Sequence, residues 1–463
     1  MKIVNWQLKI ENRILVVGLG ESGLAAAKWL VKQGYQVTVS EKKKKPDFNK
    51  GVVADLLRSG VKLEFDGHRI KSFLESDLIV VSPGISLDIK PLSQARDQGV
   101  PIIGEIELAS RYLKTPCIAV TGTNGKSTVV HLIGEMLRKG GKRVFVGGNI
   151  GRPLTYYIAG EQEVDYVVLE VSSFQLDTTQ TFSPLMAMIL NISPDHLDRY
   201  ADYTSYGRSK ERVFANQGPE QILILNDDDP WLREVQPKNG PTVYRYGLKS
   251  KPERYAILDN GNIVATLPGE ETITFHLDKF TLPGSHNRAN LMAAILTCLI
   301  LKISPAAIQE VIDHFKGLLH RIERVDTVRG VDFYNDSKAT NIDAAIKAIA
   351  SFSKPVVLIA GGRDKGSDYH RLVEAASEKV KRAVFLGEAS GLLSEAFGNK
   401  ISWSIATSMI DAVSLAFNQA QKGDVVLLAP ACASFDMFKD FNHRGEVFKE
   451  AVRRLKNGIK ENS

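Results

Sequence analysis

Short apolar runs rich in Val, Ile and Leu recur along this chain. Each gives way to a segment whose apolar residues return every three or four positions. The first pattern reads as a buried strand, the second as a helix lying on it. In the first third, Arg13-Ile-Leu-Val-Val17, Gln36 to Ser40, Leu78-Ile-Val-Val81 and Pro101-Ile-Ile103 predict strands, with a helix over Leu24 to Gln33. A second group comprises Cys117-Ile-Ala-Val120, Arg143-Val-Phe-Val146, Tyr166-Val-Val-Leu169, Met186 to Leu190 and Gln221 to Leu225. Between its first two strands, Val129, Val130, Leu132, Ile133, Met136 and Leu137 trace one helix face. A β-rich stretch from Tyr255 to Phe280 predicts an added small sheet. The last group holds Pro355 to Ile359, Arg382 to Leu386 and Asp424 to Leu428. Alternation of this kind predicts an α/β fold of parallel sheets covered by helices. At 463 residues the chain exceeds one core. Three domains are expected, over 1–104, 105–317 and 318–463.

Composition narrows the class. Hydrophobic residues make up 44% and charged residues 24%, as in an ordinary globular protein. The net charge of +6 is dispersed, and the one dense run, Lys42 to Lys45, reads as a solvated loop. No aromatic residues interleave with it, so no nucleic-acid partner is expected; the basic excess suits anionic, phosphorylated small molecules. Cys117, Cys298 and Cys432 lie far apart without metal-ligand spacing, which fits a reducing compartment. The first residues lack a signal-peptide pattern, and the longest apolar run, Leu291 to Leu301, is too short for a bilayer. A cytoplasmic protein without membrane insertion is expected.

The chemistry concentrates where strands end. Thr121-Gly-Thr-Asn-Gly-Lys-Ser-Thr128 links a strand to a helix. Such a turn aims backbone N–H groups at an anion, with Lys126 as a point charge and Ser127 or Thr128 available to Mg²⁺. Gly122, Thr123, Asn124 and Gly125 would form the cradle. The loop is shorter than the common G-x-x-x-x-G-K-[ST] pattern, because Val120 stands where its first glycine would fall. A nucleoside triphosphate is the implied ligand. Near the start, Gly18-Leu-Gly-Glu-Ser-Gly23 followed by Glu41 fits a dinucleotide fingerprint, and a nucleotide-linked substrate fits it equally.

Glu170 closes an apolar strand, where a carboxylate can ligate Mg²⁺ or serve as a cap or ion-pair partner. His196, between Asp195 and Asp198 after another strand, is a candidate for metal or phosphate contact. Lys210 on composition alone is a surface helix lysine. Three polar loops, Asn335 to Asn341, Gly361 to Gly366 and Pro430 to Asp436, would suit a small polyanion, although ordinary βα turns use the same residues.

Taken together, Thr121 to Thr128, Glu170, Asn191-x-x-x-Asp-His196 and Lys210 resemble the Mur ligase superfamily of ATP-dependent amide-forming enzymes. Three further stretches resemble its D-glutamate-adding members. These are the N-terminal Gly-x-Gly-x-Ser-Gly, Asn335-Asp-Ser-Lys-Ala-Thr-Asn341 and the run from Ala431 to Phe448. The resemblance implies a Rossmann-like domain for a UDP-sugar, a central ATPase domain of P-loop type and a C-terminal Rossmann-like domain for the amino acid. It implies that ATP phosphorylates the carboxylate of UDP-N-acetylmuramoyl-L-alanine and that D-glutamate attacks the acyl phosphate, as a step of peptidoglycan synthesis. A monomer that closes its domains on these small-molecule partners is expected.

By the same resemblance, Lys126, Glu170, His196 and Lys210 are catalytic. Ser127 and Glu170 would hold one Mg²⁺, and His196 a second together with Lys210, which the family carries as a carbamate. Asn287 and Asn290 would face adenine, while His320, Arg321 and Asp336 would frame ribose and phosphates. Asn149 would hold the muramoyl-alanine end, with Ser172 and His196 on the substrate side. Glu21, Ser22, Ser40, Glu41, Lys42, Ser82 and Gly84 would take the uridine nucleotide. Thr340, Lys365, Ser434 and Phe441, with Lys338 alongside, would take D-glutamate.

Rival readings leave features idle. A nicotinamide dehydrogenase uses only the first glycine motif, and a folate polyglutamate synthetase should lack the N-terminal block. A sister ligase adding another amino acid should differ in the C-terminal loops. A non-catalytic nucleotide-binding scaffold would have no use for the metal-ligand set.

Overall fold

The computed structural model describes residues 11–45, 50–193, 195, 199–237, 240–249, 251, 253–364 and 368–461. They form two compact units. One runs to Lys279 and resumes over His286–Asp313; the other holds Phe280–Ser285 and continues from His314.

The first sheet contains β1 (Arg13–Val17), β2 (Gln36–Ser40), β3 (Lys62–Glu64), β4 (Leu78–Val81) and β5 (Ile102–Gly104), in the order β3-β2-β1-β4-β5. Every pairing is parallel. Both faces of β1 and β4 are covered, which is why they read as unbroken apolar runs. The helix after β1 spans Glu21–Lys32, one turn earlier than the apolar period indicates. Gly20 is its N-cap and Glu21 an acid in the first turn, where the helix dipole favours negative charge.

The second sheet has nine strands: β6 (Cys117–Thr121), β7 (Val144–Gly148), β8 (Tyr166–Glu170), β9 (Met186–Ile189), β10 (Ile222–Asn226), β11 (Thr242–Gly247), β12 (Arg254–Asp259), β13 (Asn262–Ala265) and β14 (Ile273–Phe275). Their order is β14-β13-β12-β11-β10-β9-β6-β8-β7. The expected separate small sheet is therefore corrected. β12 pairs in parallel with β11, and β13 and β14 extend the same sheet as antiparallel strands. β11 bridges the two parts; its sequence TVYRYG is half polar and gave no apolar run. The open edge of β10 is satisfied by more strands instead of by a second layer.

The first two sheets share a core: Trp29, Ile106, Tyr157 and Leu169 belong to one buried cluster. The other unit carries β15 (Glu323–Val328), β16 (Val331–Asn335), β17 (Val356–Gly361), β18 (Val380–Leu386), β19 (Trp403–Ala406) and β20 (Val425–Leu428), in the order β15-β16-β20-β17-β18-β19. β15 and β16 form a hairpin whose turn residues Arg329 and Gly330 both have positive φ, at 46° and 80°. The remaining pairings are parallel. The carboxyl ends of these parallel strands bear the polar loops, where ligands of open α/β sheets gather.

Candidate functional site

The anion loop leaves β6 and ends in a helix over Lys126–Lys139. Gly125 caps that helix at φ 87°, and a Cβ there would lie 2.3 Å from the Asn290 side chain. Asn290 and Asn287 are buried on the helix Ser285–Ile300, directly behind the loop. The loop is pinned across the sheet as well. Asn124 N donates to Asn191 Oδ1 at 2.8 Å, Asn191 Nδ2 returns to Asn124 O at 3.0 Å, and Thr123 N donates to Asn191 O. Thr128 is half-buried in the first turn of the helix.

Ser127 and Glu170 meet at the strand ends of β6 and β8. Ser127 Oγ donates to Glu170 Oε2 at 2.5 Å, and Asn149 Nδ2 donates to Oε1 at 2.8 Å. Glu170 is 2% exposed, so this carboxylate is held by neutral donors in a dry setting. Lys126 Nζ donates to Gly122 O at 2.8 Å and to Thr123 O at 3.0 Å. Lys210 Nζ reaches the same Gly122 oxygen at 3.0 Å and lies 4.5 Å from the centre of the Tyr206 ring.

Lys210 is only 2% exposed, which overturns the surface reading of its composition. Burial first, and then the Lys126 ammonium, push its amine well below the ordinary lysine range; Asp195, Asp177 and Glu170 pull the other way. Tyr206 was missed by the sequence reading. Its hydroxyl is 3.2 Å from Thr123 Oγ1, so one helix ties Lys210 and the anion loop together. Its spacing of four residues before Lys210 is the signal, since i and i+4 share a helix face. Ser172 caps the short helix Ser173–Leu176 in a capping box with Gln175. His196 and Lys365 lie outside the described residues. Among the described residues, no three of His, Cys, Asp and Glu gather closely enough to hold a metal ion.

In the first sheet, Gly18 N donates to Ser40 O and Ser82 Oγ to Gly18 O, which shapes the glycine turn. Glu41 accepts from Leu19 N at 2.7 Å and Lys43 N at 2.9 Å, so both carboxylate oxygens hold backbone. Glu21, Lys42 and Gly84 are exposed at the same end, with Ser22 half-buried. Ser40 Oγ lies 2.8 Å from His68 Nδ1, a neighbour the sequence did not single out. A cavity of about 730 Å³ adjoins this end, lined by Gly84, Arg96, Phe174, Asp177, Arg199 and Arg212 among others.

The third sheet brings a separate group together. Lys338 Nζ stands 4.0 Å over the Phe441 ring, and Ser337 Oγ donates to Phe441 O. Thr340 is half-buried two residues on, and Ser434 is buried after β20. Asp336 is pushed up to about 7 by burial, against the pull of Arg321. His320, nearly buried, lies 2.9 Å from Asn335 Nδ2. Arg444, 1% exposed, was not foreseen as a hub. It donates to Ser337 Oγ and O, and to Cys432 O and Ala433 O.

Three family models match in order: the Mur ligase MurD-like N-terminal domain over residues 12–104, the Mur ligase middle domain over 120–298 and the Mur ligase glutamate ligase domain over 320–432. The chain is 43% identical over 449 residues to the UDP-N-acetylmuramoylalanine–D-glutamate ligase of Pelotomaculum thermopropionicum, covering 96% of this chain and 98% of that one. The chain belongs to the Mur ligase family. The enzyme of the same name from Koribacter versatilis is 43% identical over 444 residues, with 96% and 98% covered. The fold recurs in MurF ligase from Thermotoga maritima, solved in complex with ADP, at a TM-score of 0.59 and 16% identity over 91% of this chain and 96% of that one. The Mur ligase family thus accounts for all three sheets.

Proposed function

We propose that this chain is the cytoplasmic ligase that joins D-glutamate to UDP-N-acetylmuramoyl-L-alanine at the expense of ATP, for peptidoglycan precursor synthesis. One observation carries the reading: Lys126, Lys210, Ser127 and Glu170 converge at the ends of β6 and β8 in a chain 43% identical, almost end to end, to ligases of that name. Residues 1–104 take the UDP-sugar, 105–317 the ATP and 318–463 the amino acid. No helix among the described residues is long and apolar enough to cross a membrane.

A carboxylate is a poor electrophile and repels a triphosphate. The substrate's carboxylate oxygen attacks the γ-phosphorus, ADP leaves, and the resulting acyl phosphate is attacked at carbon by the D-glutamate amine. The tetrahedral adduct then expels phosphate as the nitrogen loses its proton. Lys126 can exchange a loop carbonyl for a phosphate oxygen, which neutralises charge where the reactants must align. The N–H groups at the start of the Lys126–Lys139 helix serve the same phosphates.

The Ser127 hydroxyl and Glu170 carboxylate are hard oxygen donors side by side, so they fit Mg²⁺. When bound, the ion offsets phosphate charge and polarises the γ-phosphorus. By the family resemblance His196 would serve a second ion together with Lys210. A lysine is no oxygen donor, and we infer that Lys210 is carbamylated. Burial and the neighbouring Lys126 ammonium favour the neutral amine, the form that bonds CO₂ through nitrogen and then loses one proton. The product is an anion beside Lys126 instead of a second cation.

Asn287 and Asn290 are the proposed adenine contacts; in the other unit, Arg321 and Asp336 are proposed for ribose and phosphates. Asn149, Ser172 and His196 orient the muramoyl-alanine end, and the glycine turn with Glu21, Ser22, Glu41, Lys42, Ser82 and Gly84 takes the uridine diphosphate. Lys338, Thr340, Lys365, Ser434 and Phe441 receive D-glutamate, whose two carboxylates suit charge-assisted hydrogen bonds. Phosphate release from ATP with UDP-N-acetylmuramoyl-L-alanine is to be compared across D-glutamate, L-glutamate, L-lysine and meso-diaminopimelate. Turnover with D-glutamate alone is expected; turnover with a different amino acid would overturn the pocket assignment.

A further inference from the structure

Two loops of the C-terminal unit lie side by side, one after β17 (361–364) and one after β20 (430–434). Backbone joins them: Gly361 N donates to Pro430 O at 2.9 Å, Arg363 N to Ala433 O at 2.9 Å, and Ala433 N to Arg363 O at 3.2 Å. A side-chain bridge adds to this. Tyr369, 5% exposed at the start of the helix His370–Ala376, donates its hydroxyl to Asp364 Oδ1 at 2.7 Å. The same oxygen lies 3.1 Å from Cys432 Sγ.

The direction of this relay follows from chemistry. Burial pushes the Cys432 thiol up to about 11, so it stays S–H and donates to the tyrosine oxygen. The tyrosine proton then goes to the carboxylate. The order is Cys432 to Tyr369 to Asp364. Asp364 lies on a loop beside Ser434, in the unit assigned to a dicarboxylate substrate, and a carboxylate that swung toward the substrate on losing the Tyr369 hydrogen bond would repel it.

We propose that Tyr369 is a positioning residue for the amino-acid substrate: its hydroxyl locks the Asp364 loop to the Cys432–Ser434 loop and keeps the Asp364 carboxylate turned inward. The assignment rests on the reading of this unit as the D-glutamate site. It extends that reading to a residue that touches no substrate and acts through Asp364.

Tyr369→Phe removes one oxygen and keeps the buried ring. In the full chain it is expected to raise KM for D-glutamate roughly tenfold, the scale of one hydrogen bond to a charged group. The kcat and the KM values for ATP and the UDP-sugar should stay as in the parent. In an Asp364→Asn background the same change should leave KM for D-glutamate unmoved, because the repelling charge is gone. Hydrogen exchange read by mass spectrometry should quicken in peptides covering 361–364 and 431–434. An unchanged KM for D-glutamate, or a uniform rise in all three KM values, would overturn the proposal. A parent protein inactive with D-glutamate would instead strike the function, and unchanged exchange in both peptides would still refute the coupling.

Discussion

Lys126 and Lys210 donate to one carbonyl oxygen, that of Gly122, at 2.8 Å and 3.0 Å. Two ammonium groups on one acceptor repel each other, and Lys210, at 2% exposure, has little water to screen it. The arrangement is tolerable when Lys210 is neutral, and favourable when it is converted to an anion. One carbonyl thus links the phosphate loop to the residue proposed to become a metal ligand.

Lys210→Met is therefore expected to melt at a higher temperature than the parent at pH 7 in bicarbonate-free buffer. The folded value of the parent amine lies below its unfolded value of 10.5, so the unfolded chain binds the extra proton and parent stability rises with pH between the two. The advantage of the variant should shrink as pH approaches 10.5. Ligase activity should fall on the order of 10²- to 10³-fold. Melting scans across that range, with phosphate release alongside, check both. A lower-melting variant at pH 7 would count against the burial penalty.

Glu170→Gln keeps the side-chain volume and a hydrogen-bonding partner for Ser127, so the fold should persist with an unchanged circular dichroism spectrum. The anionic oxygen is lost, and with it the pairing that suits Mg²⁺. Activity should drop on the order of 10²- to 10³-fold. Titration calorimetry should show ATP affinity that no longer increases with added Mg²⁺; a retained Mg²⁺ response would remove Glu170 from the metal site.

Asp336→Asn tests the buried acid beside Arg321. Burial raises the folded value to about 7 from 3.8, so the folded state binds more protons and parent stability falls as pH climbs through that window. The gap corresponds to on the order of 4 kcal/mol. Urea unfolding at pH 4 and at pH 8 should show the variant gaining on the parent at the higher pH. No change in the difference would mean the carboxyl is not held neutral.

Arg444→Met should loosen the C-terminal unit. The guanidinium serves Ser337, Cys432 and Ala433 from a buried position, and burial brings it down to about 10. Removing it leaves buried acceptors without donors, which costs roughly 3 kcal/mol or more. Urea unfolding is the measurement, and a variant as stable as the parent would show that those acceptors find other partners.

Much of this was legible in the chain itself. The inner parallel strands β1, β4, β6, β8, β17 and β20 follow from apolar runs, because a strand covered on both faces has no polar side to show, whereas β3, β16 and β19 carry polar residues and gave no such run. The phosphate loop was visible because it needs glycines and a lysine at adjacent positions, whatever surrounds it. The edge region was not. Thr242–Gly247 is half polar, and only its neighbours in space made it a strand that joins the rest of the sheet.

Lys210 marks the same boundary within the site. Local composition, Gly-Arg-Ser-Lys-Glu-Arg, is that of a solvated helix, and only a family resemblance singled the lysine out. Its burial, the Gly122 carbonyl 88 positions away and the neighbouring Lys126 come from packing of distant segments. Tyr206, Tyr369 and Arg444 are alike in this respect, since each acts through partners remote in the chain. The sequence by itself determined the strand and helix alternation, the phosphate loop and the family, because these rest on local periodicity and on short motifs with fixed chemistry. The tertiary structure alone decided which charged groups are dry and which carbonyls they share, because desolvation and hydrogen-bond geometry depend on neighbours brought together only by folding.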